Sequence, residues 1–136
     1  MTPEGNLVLR FVERVDDRDV DLSPSSVPWG IAKMLTVLTA IYILRPSLLV
    51  VDEVENSLHL SLIERLLDEL ERSDVQAILT THSTMVIDLV DPGDVILLDK
   101  AKGETAARRF DNPERLRREL SERGLTLSEH IFYSPR

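Results

Sequence analysis

Two adjacent carboxylates that follow a short apolar run are the residues best suited to chemistry. Residues 47–51 are apolar after an initial serine, and Asp52 and Glu53 come directly after them. A buried strand of this kind places the next residues at the carboxyl edge of a parallel sheet, where such sheets bind ligands. Two charges there are costly unless a cation or polar group balances them. A Mg²⁺ ion held by one carboxylate and a water oriented by the other would provide that balance.

A histidine follows the next apolar run, about 30 residues later along the chain. Residues 75–80 are predicted to form a second buried strand, which ends in Thr80, Thr81, His82 and Ser83. Two successive parallel strands would bring the carboxylates and His82 to the same edge. Taken singly, the carboxylates could begin an exposed loop and cap the next helix, and the histidine could be structural. Their occurrence together favours a functional site.

The elements that must position these residues follow an α/β pattern. The predicted strands are residues 6–14, 47–51, 75–80, 94–99 and, at an edge, 105–110. The predicted helices are residues 31–44, 57–72, 83–89, 113–123 and 127–133, and residues 16–28 are predicted to form a loop. Strands separated by helices indicate a mainly parallel sheet with flanking helices. The strand at 47–51 is expected to be buried on both faces.

Composition and charge narrow the classes of function. The 136 residues carry a net charge of −8 and contain no cysteine, which rules out a disulfide framework and a cysteine-based zinc site. Residues 1–100 hold 18 acidic and 8 basic residues, so broad contact with a nucleic acid backbone is disfavoured there. The arginines of residues 101–136 could contact a partner or nucleic acid, although the glutamates between them favour a solvated helix face.

Membrane insertion and export are not expected. The longest apolar stretch, residues 31–44, contains Lys33 and spans about 14 residues, whereas a membrane-spanning helix needs about 20. The first residues show neither the basic start nor the apolar stretch of a signal peptide. We therefore expect a cytoplasmic location. One domain is expected over residues 1–136, with an N-terminal strand and loop (1–28), a core (29–100) and an arginine-bearing extension (101–136).

The string Leu-Leu-Val-Val-Asp-Glu-Val-Glu-Asn-Ser-Leu-His at residues 48–59, followed by Thr-Thr-His-Ser at 80–83, carries a family resemblance. Residues 29–100 resemble the C-terminal half of the nucleotide-binding domain of ABC-type ATPases, a partial P-loop NTPase fold. The resemblance is strongest to the prokaryotic AAA branch related to overcoming-lysogenization-defect and SMC-like ATPases.

The resemblance implies a role for each matching residue, with ATP as substrate and Mg²⁺ as cofactor. Asp52 would be the Walker B aspartate that supports Mg²⁺, and Glu53 would be the general base that polarises the attacking water. His82 would be the switch histidine that contacts the γ-phosphate. Residues 56–59 would be the D-loop, which faces the opposite subunit of a dimer, and its first residues, Asn56 and Ser57, would contribute to nucleotide binding. Glu55 falls inside the motif and receives no catalytic role.

Two departures from the family concern phosphate binding. Gly30 and Lys33 match the signature element at the start of a helix, but Pro28 stands where the family has serine. Ser25 and Ser26 lie just upstream and are candidate substitutes. In addition, none of the five glycines belongs to a P-loop of the form G-x-x-x-x-G-K-[ST], whose amides and lysine hold the phosphates.

Three functions therefore stay open. The leading interpretation is one half of a composite ATPase that hydrolyses ATP when a P-loop-containing partner chain completes the site, either directly or within a homodimer; an effector protein is a further candidate partner. The second is a binding or regulatory module that keeps the fold without the activity. The third is a Toprim-like metal-dependent nuclease, for which Asp52 and Glu55 would supply the acidic motif.

Overall fold

The computed structural model describes Gly5 and residues 9–133. It divides into two compact units, Met1–Pro46 and Ser47–Arg136, and each is described here by itself. The prediction of one domain over residues 1–136 stays a prediction. No helix within the described part of the chain is long and apolar enough to cross a membrane.

The first unit opens with a β-hairpin that the sequence only half predicted. Strand β1 (Phe11–Val15) pairs antiparallel with β2 (Arg18–Leu22). The expected loop at residues 16–28 is therefore wrong for its first part, and residues 6–8 of the expected strand lie outside the described residues. Asp16 and Asp17 form the two-residue turn with positive φ at both positions, 45° and 61°. Hairpin turns of this length require that geometry, and aspartate tolerates it better than most residues.

A helix completes the first unit and confirms the helix predicted at residues 31–44. Helix α1 (Trp29–Thr39) begins two residues earlier than predicted, after a short 3₁₀ turn at Pro24–Ser26, and continues into a π-helical turn, Ala40–Leu44. It ends at Arg45, which adopts a left-handed conformation (φ 47°) before Pro46. The right-handed helical conformation is disfavoured for the residue before a proline. The helix therefore ends where Arg45 and Pro46 predict.

The second unit opens with the parallel strands that lead to the carboxylates and the histidine. Strand β3 (Leu48–Val51) pairs in parallel with β4 (Gln76–Leu79), and helix α2 (Leu60–Glu71) connects them. Both predicted strands are confirmed. The predicted helix start at residue 57 is wrong because Ser57 has a positive φ of 64°, so α2 begins only after His59, its N-cap.

One face of this strand pair is buried and the other is exposed. Val51 is buried, and the core of the unit continues through α2 and the segments around it. Its most buried apolar members are Val54, Ile63, Leu66 and Val86. On the opposite face Leu48, Val50 and Ile78 are 44%, 58% and 50% exposed. The expectation that residues 47–51 are buried on both faces is therefore wrong.

The remaining strands form a hairpin and do not extend the parallel sheet. Strand β5 (Leu97–Ala101) pairs antiparallel with β6 (Glu104–Arg108). Lys102 and Gly103 form the turn, with φ values of 52° and 87° that suit a tight hairpin. The fold is α/β, but the expected mainly parallel sheet is reduced to two strands, β3 and β4, because the described sheets are all two-stranded.

Short helices fill the rest of the second unit, as predicted. Helix α3 (Thr84–Asp88) follows β4, although the side chain of its N-cap, Ser83, makes no capping hydrogen bond. Helix α4 (Pro113–Arg123) starts at the N-cap Asn112, which accepts a hydrogen bond from the Arg115 amide, and stops at Gly124 with φ 64°. The last helix is α5 (Leu127–Tyr133). A small apolar cluster joins α3, α4 and α5 through Ile87, Leu116, Leu120 and Leu127.

Candidate functional site

The carboxylate pair lies in a turn that is held against the end of the neighbouring strand. The Thr80 amide donates to the Val51 carbonyl and the Val54 amide donates to the Thr80 carbonyl, both at 3.0 Å. These two bonds extend the parallel pairing beyond the last residues of β3 and β4. The side chain of Val54, in the same turn, is fully buried in the core and so anchors the turn. Asp52 and Glu53 are thereby left exposed at the carboxyl ends of the strands.

One hydroxyl group connects the two acidic residues. Thr80 Oγ1 donates to Asp52 Oδ1 at 2.5 Å and accepts the backbone N–H of Glu53 at 2.8 Å. A hydroxyl can do both at once because it carries one proton and two lone pairs. Thr80 therefore orients the Asp52 carboxylate and fixes the Glu53 backbone, a role that the sequence analysis did not assign although it noted the residue.

Glu53 adopts a backbone conformation that is uncommon for its type. Its φ is 45°, in the left-handed region. Residues held there cost free energy and persist where the surrounding contacts impose the conformation, often at functional sites. Here the Thr80 hydroxyl holds the Glu53 amide, and the Asn56 amide donates to the Glu53 carbonyl at 3.0 Å. The Asn56 side chain also donates to the Glu53 carboxylate.

The third carboxylate of the turn, Glu55, contacts His82, which lies in the loop between β4 and α3. Its Oε1 atom lies 3.0 Å from the backbone N of His82 and 3.0 Å from His82 Nδ1. The Glu55 side chain is only 14% exposed, whereas that of His82 is 75% exposed. Among the described residues, no hydrogen bond satisfies the buried Oε2 atom of Glu55.

The environment of Glu55 acts on its pKa in both directions. Burial desolvates the carboxylate and by itself raises the pKa. The hydrogen bond from the His82 amide, the nearby polar groups of the Glu55 amide and the Thr81 hydroxyl, and the charge of His82 together outweigh burial, so the pKa of Glu55 lies below its ordinary value. Glu55 is therefore held as an acceptor at neutral pH.

The other residues expected to bind nucleotide are placed as follows. Ser57 is exposed in the turn before α2, next to Asn56, and has a positive φ. Gly30, which is buried, and Lys33, which is partly buried, lie in the first two turns of α1. Gly30 and Lys33 belong to the first unit, whereas His82 and the turn at residues 52–57, called the acidic turn below, belong to the second. The N-cap of α1 is Pro28, which makes no side-chain capping bond.

Asp52 is the residue of this turn that could take part in holding a magnesium ion. Within the described residues, no three His, Asp or Glu side chains are grouped so as to hold a metal by themselves. Mg²⁺ usually keeps several waters and binds through one or two carboxylates together with substrate phosphates. The exposed Asp52 carboxylate, oriented by Thr80, fits that mode of binding and does not form a closed protein cage.

Three arginines of the C-terminal part form ion pairs with carboxylates. Arg108 contacts Asp99 at 2.9 Å across the β5–β6 hairpin, and Arg115 contacts Glu119 at 2.8 Å on α4. Arg117 pairs with Asp91. These contacts agree with a solvated, internally paired surface.

Comparison with known proteins places the chain in a family. Residues 3–88 match the family described as "AAA domain, putative AbiEii toxin, Type IV TA system". The match covers more than half of the chain, so the chain belongs to this family of AAA domains. It includes β3, the acidic turn, β4 and His82, and it supports a general ATPase-like function. No curated protein and no solved structure matches the chain.

Proposed function

We propose that this chain supplies the residues that hydrolyse ATP in an ABC-type ATPase site, and that the phosphate-binding loop comes from outside these 136 residues. The observation that carries the proposal is the bridge made by Thr80, which ties Asp52 and the Glu53 backbone to the strand that leads to His82. Family membership supports the ATPase-like part of the proposal.

Each residue of the site would act on a different part of Mg²⁺-bound ATP. Asp52 would hold Mg²⁺ through its waters, as an exposed carboxylate with one oxygen occupied by Thr80 can. Glu53 would accept a proton from the attacking water and orient it. His82 would donate a hydrogen bond to the γ-phosphate from its exposed ring. Mg²⁺ supplies charge neutralisation of the phosphates when bound.

Two further groups of residues would act across a subunit boundary. Asn56 and Ser57 would face the opposite subunit as the D-loop, and both are exposed. Gly30 and Lys33 would contribute at the start of α1, where a helix N-terminus favours a phosphate. This arrangement requires association of subunits. The chain would pair directly with a P-loop-containing partner chain, or it would form a homodimer in which each half includes such a chain.

The β3–β4 pair supports completion by elements from outside these residues, because one of its faces is largely exposed and its sheet has only two strands. Leu48, Val50 and Ile78 are about half exposed, although parallel strands are normally covered on both faces. A two-stranded sheet is also smaller than independent sheets usually are.

Reconstitution tests the proposal. The purified chain is mixed with a P-loop-bearing protein encoded beside it, and release of phosphate from ATP is measured with Mg²⁺. We expect hydrolysis only in the mixture, and its loss in Glu53→Gln and His82→Ala. Glu64→Gln, on the exposed surface of α2, is the matched control and should leave the rate unchanged. Hydrolysis that persists in Glu53→Gln would contradict the assignment of the general base.

A non-catalytic binding or regulatory module is the second candidate. Pro28 favours it, since proline removes the hydroxyl expected at the start of the signature helix. In that case the mixture would form a complex without hydrolysis, and complex formation would be unaffected by Glu53→Gln.

A further inference from the structure

Glu55 is a nearly buried carboxylate for which the proposed reaction has no use. Its Oε1 atom meets both the backbone N–H and the ring of His82, across 27 residues of sequence. Its Oε2 atom is buried without a hydrogen-bond partner among the described residues. Leaving a buried acceptor unsatisfied costs free energy, and such groups in native proteins call for an explanation.

We propose that Glu55 is a positioning residue that fixes the ring of His82 and links it to the turn containing Asn56 and Ser57. The consequence for ATP hydrolysis rests on the proposed function, whereas the link itself is a property of the chain without nucleotide. Glu55 makes no contact with the substrate in this role and acts only through His82.

The chemistry of the pair determines which ring nitrogen carries the proton. An ionised carboxylate presents only lone pairs, and an unprotonated Nδ1 would place another lone pair 3.0 Å from Glu55 Oε1, so this electrostatic contact favours a proton on Nδ1. A partner at one ring nitrogen fixes the state of the other, as it does for metal-bound and catalytic histidines. No hydrogen bond from the described residues occupies Nε2, and the ring is largely exposed. Nε2 is therefore the atom presented to a ligand.

The backbone contact adds a second restraint. The His82 N–H donates to the same carboxylate oxygen at 3.0 Å, so Glu55 holds both the main chain and the ring of the histidine. On the other side, Glu55 lies in the turn whose next residues are Asn56 and Ser57. A shift of this turn would therefore be transmitted to the His82 ring through the Glu55 side chain, in addition to the contacts that Thr80 makes with the turn.

His59 provides an internal contrast. Its Nδ1 atom lies 3.4 Å from the Ser61 backbone N and 3.1 Å from the Ser61 hydroxyl oxygen. The backbone N–H can only donate and the hydroxyl can also donate, so the cap of α2 favours a proton on Nε2 of His59. The two histidines are thus expected to adopt opposite tautomers within one molecule. The third histidine, His130, lies on α5, where its ring contacts that of Phe110.

Nitrogen NMR of the histidine rings in the nucleotide-free chain tests the proposal. Spectra are recorded at a pH above the range in which imidazole titrates. We expect His82 with its proton on Nδ1 and His59 with its proton on Nε2. Wild-type His82 found with its proton on Nε2 would overturn the proposal, and this measurement depends on no variant and no ATP. Failure of the ATPase proposal alone would leave the result unchanged.

Two variants then separate positioning from folding. Glu55→Ala should move His82 to the Nε2–H form that an unpaired imidazole favours, while His59 and His130 keep their signals and report an intact fold. Glu55→Gln retains an acceptor oxygen and should restore the Nδ1–H form. If His82 keeps its wild-type tautomer in a folded Glu55→Ala protein, Glu55 does not position it and the proposal is wrong.

Discussion

Thr80 Oγ1 lies 2.5 Å from Asp52 Oδ1 and 2.8 Å from the Glu53 amide, so a side chain at the end of β4 holds the two acidic residues at the end of β3. The contact crosses 28 residues of sequence and is made by a residue that ends one of two paired parallel strands. The acidic turn is therefore a supported structure, whose geometry depends on the neighbouring strand.

Replacing Thr80 tests this support. Thr80→Val removes the hydroxyl with little change of shape, so it should lower the free energy of unfolding by about 1–2 kcal/mol, since two exposed hydrogen bonds are lost. Thr80→Ser keeps the hydroxyl and is the control. Urea unfolding measures both variants. Equal stability of the valine and serine variants would show that the bridge contributes nothing.

The positive φ of Glu53 predicts an inverted preference between glycine and alanine. Both replacements remove the carboxylate, but alanine must occupy the left-handed region, which costs about 1–2 kcal/mol and is open to glycine. We expect Glu53→Gly to be about 1 kcal/mol more stable than Glu53→Ala in urea unfolding. At Glu64, inside α2, the same pair should show the reverse order by about 1 kcal/mol. The same order at both positions would contradict the conformation assigned to Glu53.

The lowered pKa of Glu55 predicts how stability depends on pH. The folded-state pKa lies below the ordinary value of 4.5, so the ionised carboxylate stabilises the fold above that pH. This contribution is lost as the pH falls through the lowered pKa. The free energy of unfolding of the wild type should therefore exceed that of Glu55→Gln at neutral pH, and the difference should shrink in acid. Unfolding in urea at several pH values measures it, and a difference that grows in acid would reverse the assigned direction.

The docking of α5 onto α3 depends on a capping contact. Asp88 accepts the Ser128 amide at 2.7 Å and the Ser128 hydroxyl at 2.9 Å, and Ser128 is only 6% exposed. Asp88→Ala should lower the free energy of unfolding by about 1–2 kcal/mol, because it leaves the Ser128 amide at the start of α5 without its acceptor, while the Ser128 hydroxyl keeps its contact with the Thr126 hydroxyl. A double-mutant cycle with Ser128→Ala should give a coupling of about 1 kcal/mol. Additive effects would mean that the contact is not formed.

Much of the fold followed from the sequence because its signals are local. Residues 47–51 and 75–80 form the expected strands, and Pro46 and Gly124 end helices as predicted. The Asp16–Asp17 hairpin was missed because its turn carries aspartates in place of the usual asparagine or glycine. The antiparallel return of β5 into β6 depends on the turn at Lys102 and Gly103, which the apolar pattern of the strands does not encode.

The site was predictable only in part, for a different reason. The motif predicted roles for Asp52, Glu53 and His82, and the structure places all three after the ends of β3 and β4, whereas their roles stay predictions. The contacts of Thr80 and Glu55 join residues that are 27 or 28 positions apart. The sequence shows that such residues are present but not that their side chains are in contact. The register of the paired strands determines which side chains lie next to each other.

Calorimetric titration of the purified chain with ATP and Mg²⁺ tests the central claim most directly, with Glu53→Gln titrated alongside. Most of the phosphate binding is expected to come from a P-loop that these residues do not contain. We therefore expect no measurable binding of ATP by either protein in the micromolar range, and binding once a P-loop-bearing partner is added. Micromolar binding of ATP by the chain alone would contradict the composite site and would mean that these 136 residues form a complete nucleotide site.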